Sequence, residues 1–191
     1  VRSAGKIVDN LPADYELKQV NVTRGEGADT QELTPEEFEE WLKEASSSKG
    51  TGILDVVAGQ TKIEYVYGVK RGGFSFAKTL AAGLPADGAT AFTFKIELAN
   101  EKYDLNGETI KYVVGGAEHT QVLKSSLLDG YSFKVEVKAG QTVQVVQVPV
   151  GTRYVVSETD TGDYADLTET MAGTVVAGGG ARGAFTHNKN F

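Results

Sequence analysis

From residue 73 onward, apolar and polar residues alternate with period two in short runs bounded by Gly, Pro, Asp or Asn, the pattern of strands with one buried face. Phe74 to Leu80 is the first such run. After a turn at 84–88, residues 90–98 alternate Phe92, Phe94, Ile96 and Leu98 against more polar neighbours. Asn106-Gly107 is a hairpin signal, because both residues tolerate positive φ. Weaker strand patterns come next at 109–114 and 121–128, and then Tyr131 to Lys138 and Gln141 to Val148 flank Ala139-Gly140 as a predicted hairpin. Residues 149–151 turn the chain into a strand over 152–158, and two last strands are predicted around 165–171 and 181–189. At least seven short strands separated by turn signals predict an all-β sandwich rather than an α/β enzyme.

Residues 1–71 read differently. Ile7-Val8 leads through Asn10 to Asp14 into a strand at 15–20, and residues 52–57 lead through Ala58-Gly-Gln60 into a strand at 61–67. Between these two units Thr34-Pro35-Glu36-Glu37 opens a helix over 34–45. Thr34 is its N-cap, Pro35 stands at N1 and Glu37 closes a capping box. Phe38, Trp41 and Leu42 share one helical face at spacings i, i+3 and i+4, which marks core packing rather than a ligand site. Leu11-Pro-Ala-Asp-Tyr-Glu-Leu17 echoes Val148-Pro-Val-Gly-Thr-Arg-Tyr-Val-Val156. Residues 1–71 are therefore expected to form a partial β-sandwich domain carrying the inserted helix, and residues 73–191 a complete one. The strands the first part lacks would come from preceding residues or from another chain, because an open half-sandwich is unfavourable.

Composition narrows the function classes. The 191 residues carry 19 Lys and Arg against 26 Asp and Glu, a net charge of −7. This argues against nucleic-acid binding, which rests on clustered basic side chains. No apolar run approaches the ~20 residues of a spanning helix, and no leader peptide is visible, so membrane insertion of this segment is not expected. A start at Val1 and the lack of a sorting tail suggest a piece of a longer chain. There is no cysteine, and His119 and His187 are the two histidines. That leaves no thiol nucleophile or disulfide and little basis for a metal site.

No enzyme constellation is assembled. The run 177–181 precedes a strand and reads as a loop rather than a phosphate cradle. Asp160 and Asp163 do not have the spacing of a calcium loop and read as turn residues, and His119 reads as a solvated side chain. No cofactor or metal is expected. The remaining feature is a pair of charges. Alternation puts Lys78 on the side of Phe74 and Phe76, and Glu158 on the side of Tyr154 and Val156. Both would point into the sandwich. Spacing alone accounts for them as a buried or edge salt bridge, or as strand-end charges reaching water.

Several pieces together bear a family likeness: Phe76-Ala-Lys-Thr-Leu80 with Gly83 after it, Ala91-Phe-Thr-Phe-Lys-Ile-Glu-Leu98, Val148-Pro-Val-Gly-Thr-Arg-Tyr-Val-Val-Ser-Glu-Thr-Asp160, and Ala184-Phe-Thr-His-Asn-Lys-Asn-Phe191. Over roughly three-fifths of its length the chain resembles the B-type (CnaB-like) Ig-like domains of Gram-positive collagen adhesins. It is more similar still to the C-terminal domain of streptococcal-type major backbone pilins. The resemblance implies a self-made amide (isopeptide) bond between a lysine on the first strand and an asparagine on the last, assisted by a central glutamate. Carried onto this sequence, Lys78 is the nucleophile and Glu158 the proton relay. The family pattern Phe-Thr-Asn meets Phe185-Thr-His-Asn188 here, so a one-residue bulge before Asn188 aligns it as the first choice, with Asn190 second. Desolvation would lower the lysine pKa and raise that of the glutamate, so that a neutral amine attacks a carboxamide polarised by the acid.

In function, the resemblance implies a structural segment of a cell-wall-anchored extracellular pilin or adhesin, with no catalytic turnover and therefore no enzyme. Its partners would be other pilin or adhesin subunits and a sortase-linked cell wall. An alternative is a binding module that contacts a host protein or glycan through the first domain or the 99–128 loops. A third reading has Trp41, Tyr103 and Tyr112 stacking on polysaccharide, and it requires a planar cluster of exposed aromatics.

Overall fold

The computed structural model of the chain describes residues 12–25, 29–47, 61–80, 91–127, 130–160 and 170–187. The chain divides into two compact units, residues 1–70 and 71–191.

In the first unit, strands β1 (Tyr15–Arg24), β2 (Thr30–Leu33) and β3 (Thr61–Val69) form an antiparallel sheet in the order β2-β1-β3, with helix α1 (Pro35–Ser47) following β2. The capping box forms as the sequence predicts. The Thr34 backbone N–H donates to Glu37 Oε2 at 2.8 Å, and the Glu37 N–H donates to Thr34 Oγ1 at 3.2 Å. The apolar helical face then meets the sheet, and Phe38 is buried with Val20, Val22 and Leu33 while Trp41, Leu42 and Ile63 pack around them. A register slip between Leu17 and Gln19 lets Leu17, Val20 and Val22 face the same side despite their spacing, the effect of one extra residue in a bulged strand. Strand β2 is four residues long and mostly exposed, too short to leave an alternation signal. The strands expected at Ile7-Val8 and 52–57 lie outside the described residues.

The second unit contains β4 (Arg71–Leu80), β5 (Ala91–Ala99), β6 (Thr109–Val114), β7 (Ala117–Val122), β8 (Tyr131–Lys138), β9 (Thr142–Pro149), β10 (Arg153–Asp160), β11 (Thr170–Thr174) and β12 (Gly180–His187). They form two sheets, β11-β10-β5-β8 and β12-β4-β9-β6-β7. The fold is all-β, and the alternation read from the sequence is the alternation of burial. Phe74 and Phe76 from one sheet and Phe92, Phe94 and Ile96 from the other form one continuous core.

Two turns connect the strands otherwise than their sequences suggest. Asn106-Gly107 does turn tightly, with Gly107 at φ 81°, but β5 and β6 belong to different sheets, so the turn sits inside a crossover. The same holds at Ala139-Gly140: β8 pairs with β5, whereas β9 pairs with β4 and β6. A two-residue turn fixes a reversal of direction without fixing which neighbour each strand then bonds. The strand expected at 121–128 lies elsewhere: β7 spans 117–122 and joins β6 across Gly115-Gly116, both at positive φ, and residues 123–127 leave the ladder. Near the start of the unit, Gly73 lies so close to β9 that a Cβ there would stand 2.2 Å from the Val145 carbonyl oxygen, which leaves glycine alone able to occupy the position. Of the strand expected at 165–171, residues 170 and 171 open β11, which runs on to Thr174, and 165–169 lie outside the described residues; the strand expected at 181–189 is β12 as far as His187.

Candidate functional site

The site lies inside the second unit. Strand β4 carries Lys78 inward beside Phe74 and Phe76, and its side chain has no exposed surface. Strand β10 carries Glu158 inward after Tyr154 and Val156, with its side chain 1% exposed. Lys78 Nζ donates to Glu158 Oε2 at 3.1 Å, and the same nitrogen stands 4.2 Å from the centre of the Phe92 ring. Phe76, Phe94 and Phe185 pack edge to face or tilted with centroids 5.0 to 5.7 Å apart. The two ionisable groups thus meet within an aromatic core.

The backbone around the lysine is held on both sides. Its N–H donates to the Gln141 carbonyl at 3.0 Å, and its carbonyl accepts from Gly140 N–H at 2.8 Å, so the β8–β9 turn is pinned to this residue. On the other side β12 runs parallel to β4 with Phe185 opposite Lys78, and Thr79 Oγ1 donates to the Phe185 carbonyl at 3.3 Å. Glu158 faces Phe94 of β5, and the ladder slips immediately afterwards, where Thr159 Oγ1 donates to the Thr93 carbonyl.

Elementary electrostatics says what such a pair is able to do. Taking a charge out of water disfavours the charged form, so burial favours the neutral amine and the neutral acid, whereas mutual attraction favours the ion pair. At 3.1 Å one proton passing from nitrogen to oxygen interconverts the two states. The neutral state holds a nucleophilic amine beside an acid able to donate a hydrogen bond.

Alternation places Lys78 and Glu158 on the inner faces of β4 and β10, and the structure brings the two within hydrogen-bond distance of each other. Asn188 and Asn190 lie outside the described residues. The Phe92 ring against the ammonium and the Gly140-Gln141 clamp were not read from the sequence. Phe92 looks like any other core aromatic in an alternating strand, and the clamp depends on the crossover at Ala139-Gly140. His119 is exposed and stacks on Tyr112, which packs in turn against Phe133. Tyr103 and Tyr112 pack against the second unit's core and Trp41 against the first unit's, so these three do not make the exposed platform that polysaccharide stacking requires. Among the described residues no group of three or more His, Asp or Glu is placed to hold a metal ion, and no helix is long and apolar enough to cross a membrane.

A second polar cluster closes the crossover between β5 and β6. An Arg71 guanidinium nitrogen donates to Glu108 Oε2 at 2.7 Å and to the Gln147 carbonyl at 2.9 Å, while Tyr103 donates its hydroxyl proton to Glu108 Oε1 at 2.6 Å. The Arg71 hydrogen bond is the main cause that holds the Glu108 carboxyl below its usual range, with Tyr103 assisting against the opposing effect of burial. A depressed carboxyl pKa stabilises the fold above the unfolded value of about 4.3 and loses that contribution as pH falls through the folded value. The contribution of Glu108 to the stability of the second unit is accordingly constant above about pH 4.3 and falls away as the pH drops from there to the lower folded value. Arg71→Ala should remove part of the decline, as read by calorimetry across pH.

A family model described as a domain of unknown function, DUF7601, matches residues 72–189, most of the chain. The chain belongs to the DUF7601 family. No curated protein matches it. Among solved structures, the DUF7601 chain is similar to the major pilin T3.2 from Streptococcus pyogenes serotype GAS13637, with 12% identity and a TM-score of 0.50 over 92% of this chain and 64% of the pilin chain. That likeness bears on the fold. A second major pilin from Streptococcus pyogenes is 16% identical with a TM-score of 0.46, over 96% of this chain and 66% of that one. A pilus-presented adhesin, Spy0125 (Cpa), is 27% identical with a TM-score of 0.45 over 61% of this chain. The chain spans 27% of the adhesin's length.

Proposed function

We propose that this DUF7601 chain is a load-bearing segment of a Gram-positive cell-surface pilin or adhesin, stiffened by an amide bond between Lys78 and Asn188. The observation that carries the reading is the Lys78–Glu158 pair, fully buried and 3.1 Å apart on two strands of opposite sheets. Such a pair is a poor device for stability alone, since apolar residues of similar volume serve as well or better. It is a good device for acylating a lysine.

In the proposed reaction the proton of the Lys78 ammonium moves to Glu158. The neutral Nζ then attacks the side-chain carbonyl carbon of Asn188, while the protonated Glu158 hydrogen-bonds the carbonyl oxygen. As the tetrahedral adduct collapses, the old C–N bond breaks and Glu158 hands its proton to the departing amide nitrogen, which leaves as ammonia, while Glu158 takes up the second proton that Nζ sheds on becoming an amide nitrogen. Holding the partners in contact supplies the effective concentration that an amine and an amide lack in water. Asn190 is the second choice of acceptor. The parallel register of β12 on β4 supports this assignment, because it brings the segment that leads to Asn188 alongside the strand of Lys78.

The reaction happens once per molecule, so the chain is not an enzyme. Surface anchoring, assembly with other pilin or adhesin subunits and linkage by a sortase belong to the same proposal, and the fold shared with a major pilin supports it. We read the first unit as a partial Ig-like domain in the same stalk. The test is the intact mass of the purified chain. A species lighter than the sequence mass by one ammonia is expected, and a mass equal to the sequence mass means that the pair is a salt bridge and the segment carries no link.

A further inference from the structure

We infer that the β4–β12 pair is a mechanical shear clamp, a load-bearing element that works without the covalent bond. The two strands are parallel and matched over eight residue pairs, from Gly73↔Gly180 to Leu80↔His187. β4 begins the second unit, and β12 is the last of its described strands. Tension that enters before Arg71 and leaves after His187 therefore pulls two neighbouring strands in opposite directions along their own axes. Every backbone hydrogen bond between them is then loaded at the same time. Were the two strands antiparallel, the same pull would act at one end and open the bonds one after another.

Side chains reinforce the pair against sliding. Ser75 Oγ donates to the Ala181 carbonyl at 3.5 Å and Thr79 Oγ1 to the Phe185 carbonyl at 3.3 Å, so two cross-strand ties lie four residues apart on the same seam. Phe185 is 2% exposed and keyed between Phe76 and Phe94. A slip of one residue along the strand would carry it to the opposite face. Gly183 leaves room for Met171 of β11, whose sulfur lies 2.4 Å from where a Cβ would be. The other side of β4 is bonded to β9, which holds it while β12 is pulled.

The inference takes from the proposed stalk only the direction of pull. Where the bond has formed, load runs along β4 to Lys78 and out through Asn188, bypassing β12. The clamp carries load in molecules that have not yet linked.

Single-molecule stretching of the full chain tests this. The double variant Lys78→Met, Glu158→Leu has no nucleophile and no buried charge to strand. The chain has no cysteine, so introduced ones give unique handles. Handles at residues 1 and 191 load β4 and β12 in shear, whereas handles at residue 1 and at Val176→Cys, 55% exposed just before β12, peel the strands apart from one end. The rupture that releases the second unit is expected at several-fold higher force in the first geometry. Equal forces in the two geometries would overturn the clamp. Should the double variant not fold, Glu158→Gln, with an intact mass that reports no bond, replaces it. The bond is read by mass and the clamp by the dependence of force on direction, so either can fail without the other.

Discussion

Glu158→Ala should leave the chain at its full sequence mass and lower the melting temperature of the second unit by about 20–40 °C. Two effects add. Removing one member of a buried ion pair leaves the other charge without compensation, at a cost of about 3–5 kcal/mol. Losing the link from Lys78 to Asn188 also reopens a loop of about 110 residues in the unfolded chain, which the entropy argument developed for disulfides puts at roughly 4–5 kcal/mol. Differential scanning calorimetry with intact mass on the same sample checks both. The double variant Lys78→Met, Glu158→Leu separates them: it is equally unlinked, yet it should melt above Glu158→Ala because nothing charged is left stranded. If the double variant melts at or below the single one, the stranded lysine is not the cause of the loss.

Phe185→Ala is the second large effect, and it acts through packing. The ring is 2% exposed, sits opposite Lys78 on the neighbouring strand and is held between Phe76 and Phe94. Truncating a buried phenylalanine costs about 3–5 kcal/mol. It also removes the contact that fixes the position of β12 along β4, so linkage should slow even in molecules that fold. A time course of intact mass after refolding should show the unlinked species persisting far longer than in the parent chain. Linkage at the parent rate would mean that the seam is positioned by the backbone ladder alone.

Most of the second unit was legible because its strands are half-buried and therefore alternate. The same rule that put Phe92, Phe94, Ile96 and Leu98 on one face put Lys78 and Glu158 on the inner faces of their strands, which is how a lysine in a phenylalanine-rich strand becomes a candidate at all. Pairing was less legible. The turns at Asn106-Gly107 and Ala139-Gly140 carry the local chemistry of a reversal, but the choice between bonding a sequence neighbour and crossing to the other sheet depends on where distant apolar faces meet. The Gly140 and Gln141 bonds to the Lys78 backbone result from that choice and so had no local trace. In the first unit the helix was fully announced by Thr34, Pro35 and Glu37, whereas β2, four residues long with Leu33 its one buried residue, is too short to show an alternation. The Arg71–Glu108–Tyr103 cluster joins the start of β4 to the β5–β6 crossover, and nothing in the spacing of Arg71 from that crossover marks them as neighbours.

The central claim is a covalent one, so the decisive measurement is of a covalent structure. Proteolysis of the denatured chain followed by tandem mass spectrometry should yield a branched peptide in which the Lys78 segment and the segment containing Asn188 are joined, lighter than their sum by one ammonia, with fragment ions placing the branch at the Lys78 side chain. Recovery of both segments only as separate linear peptides, each at its sequence mass, would contradict the account.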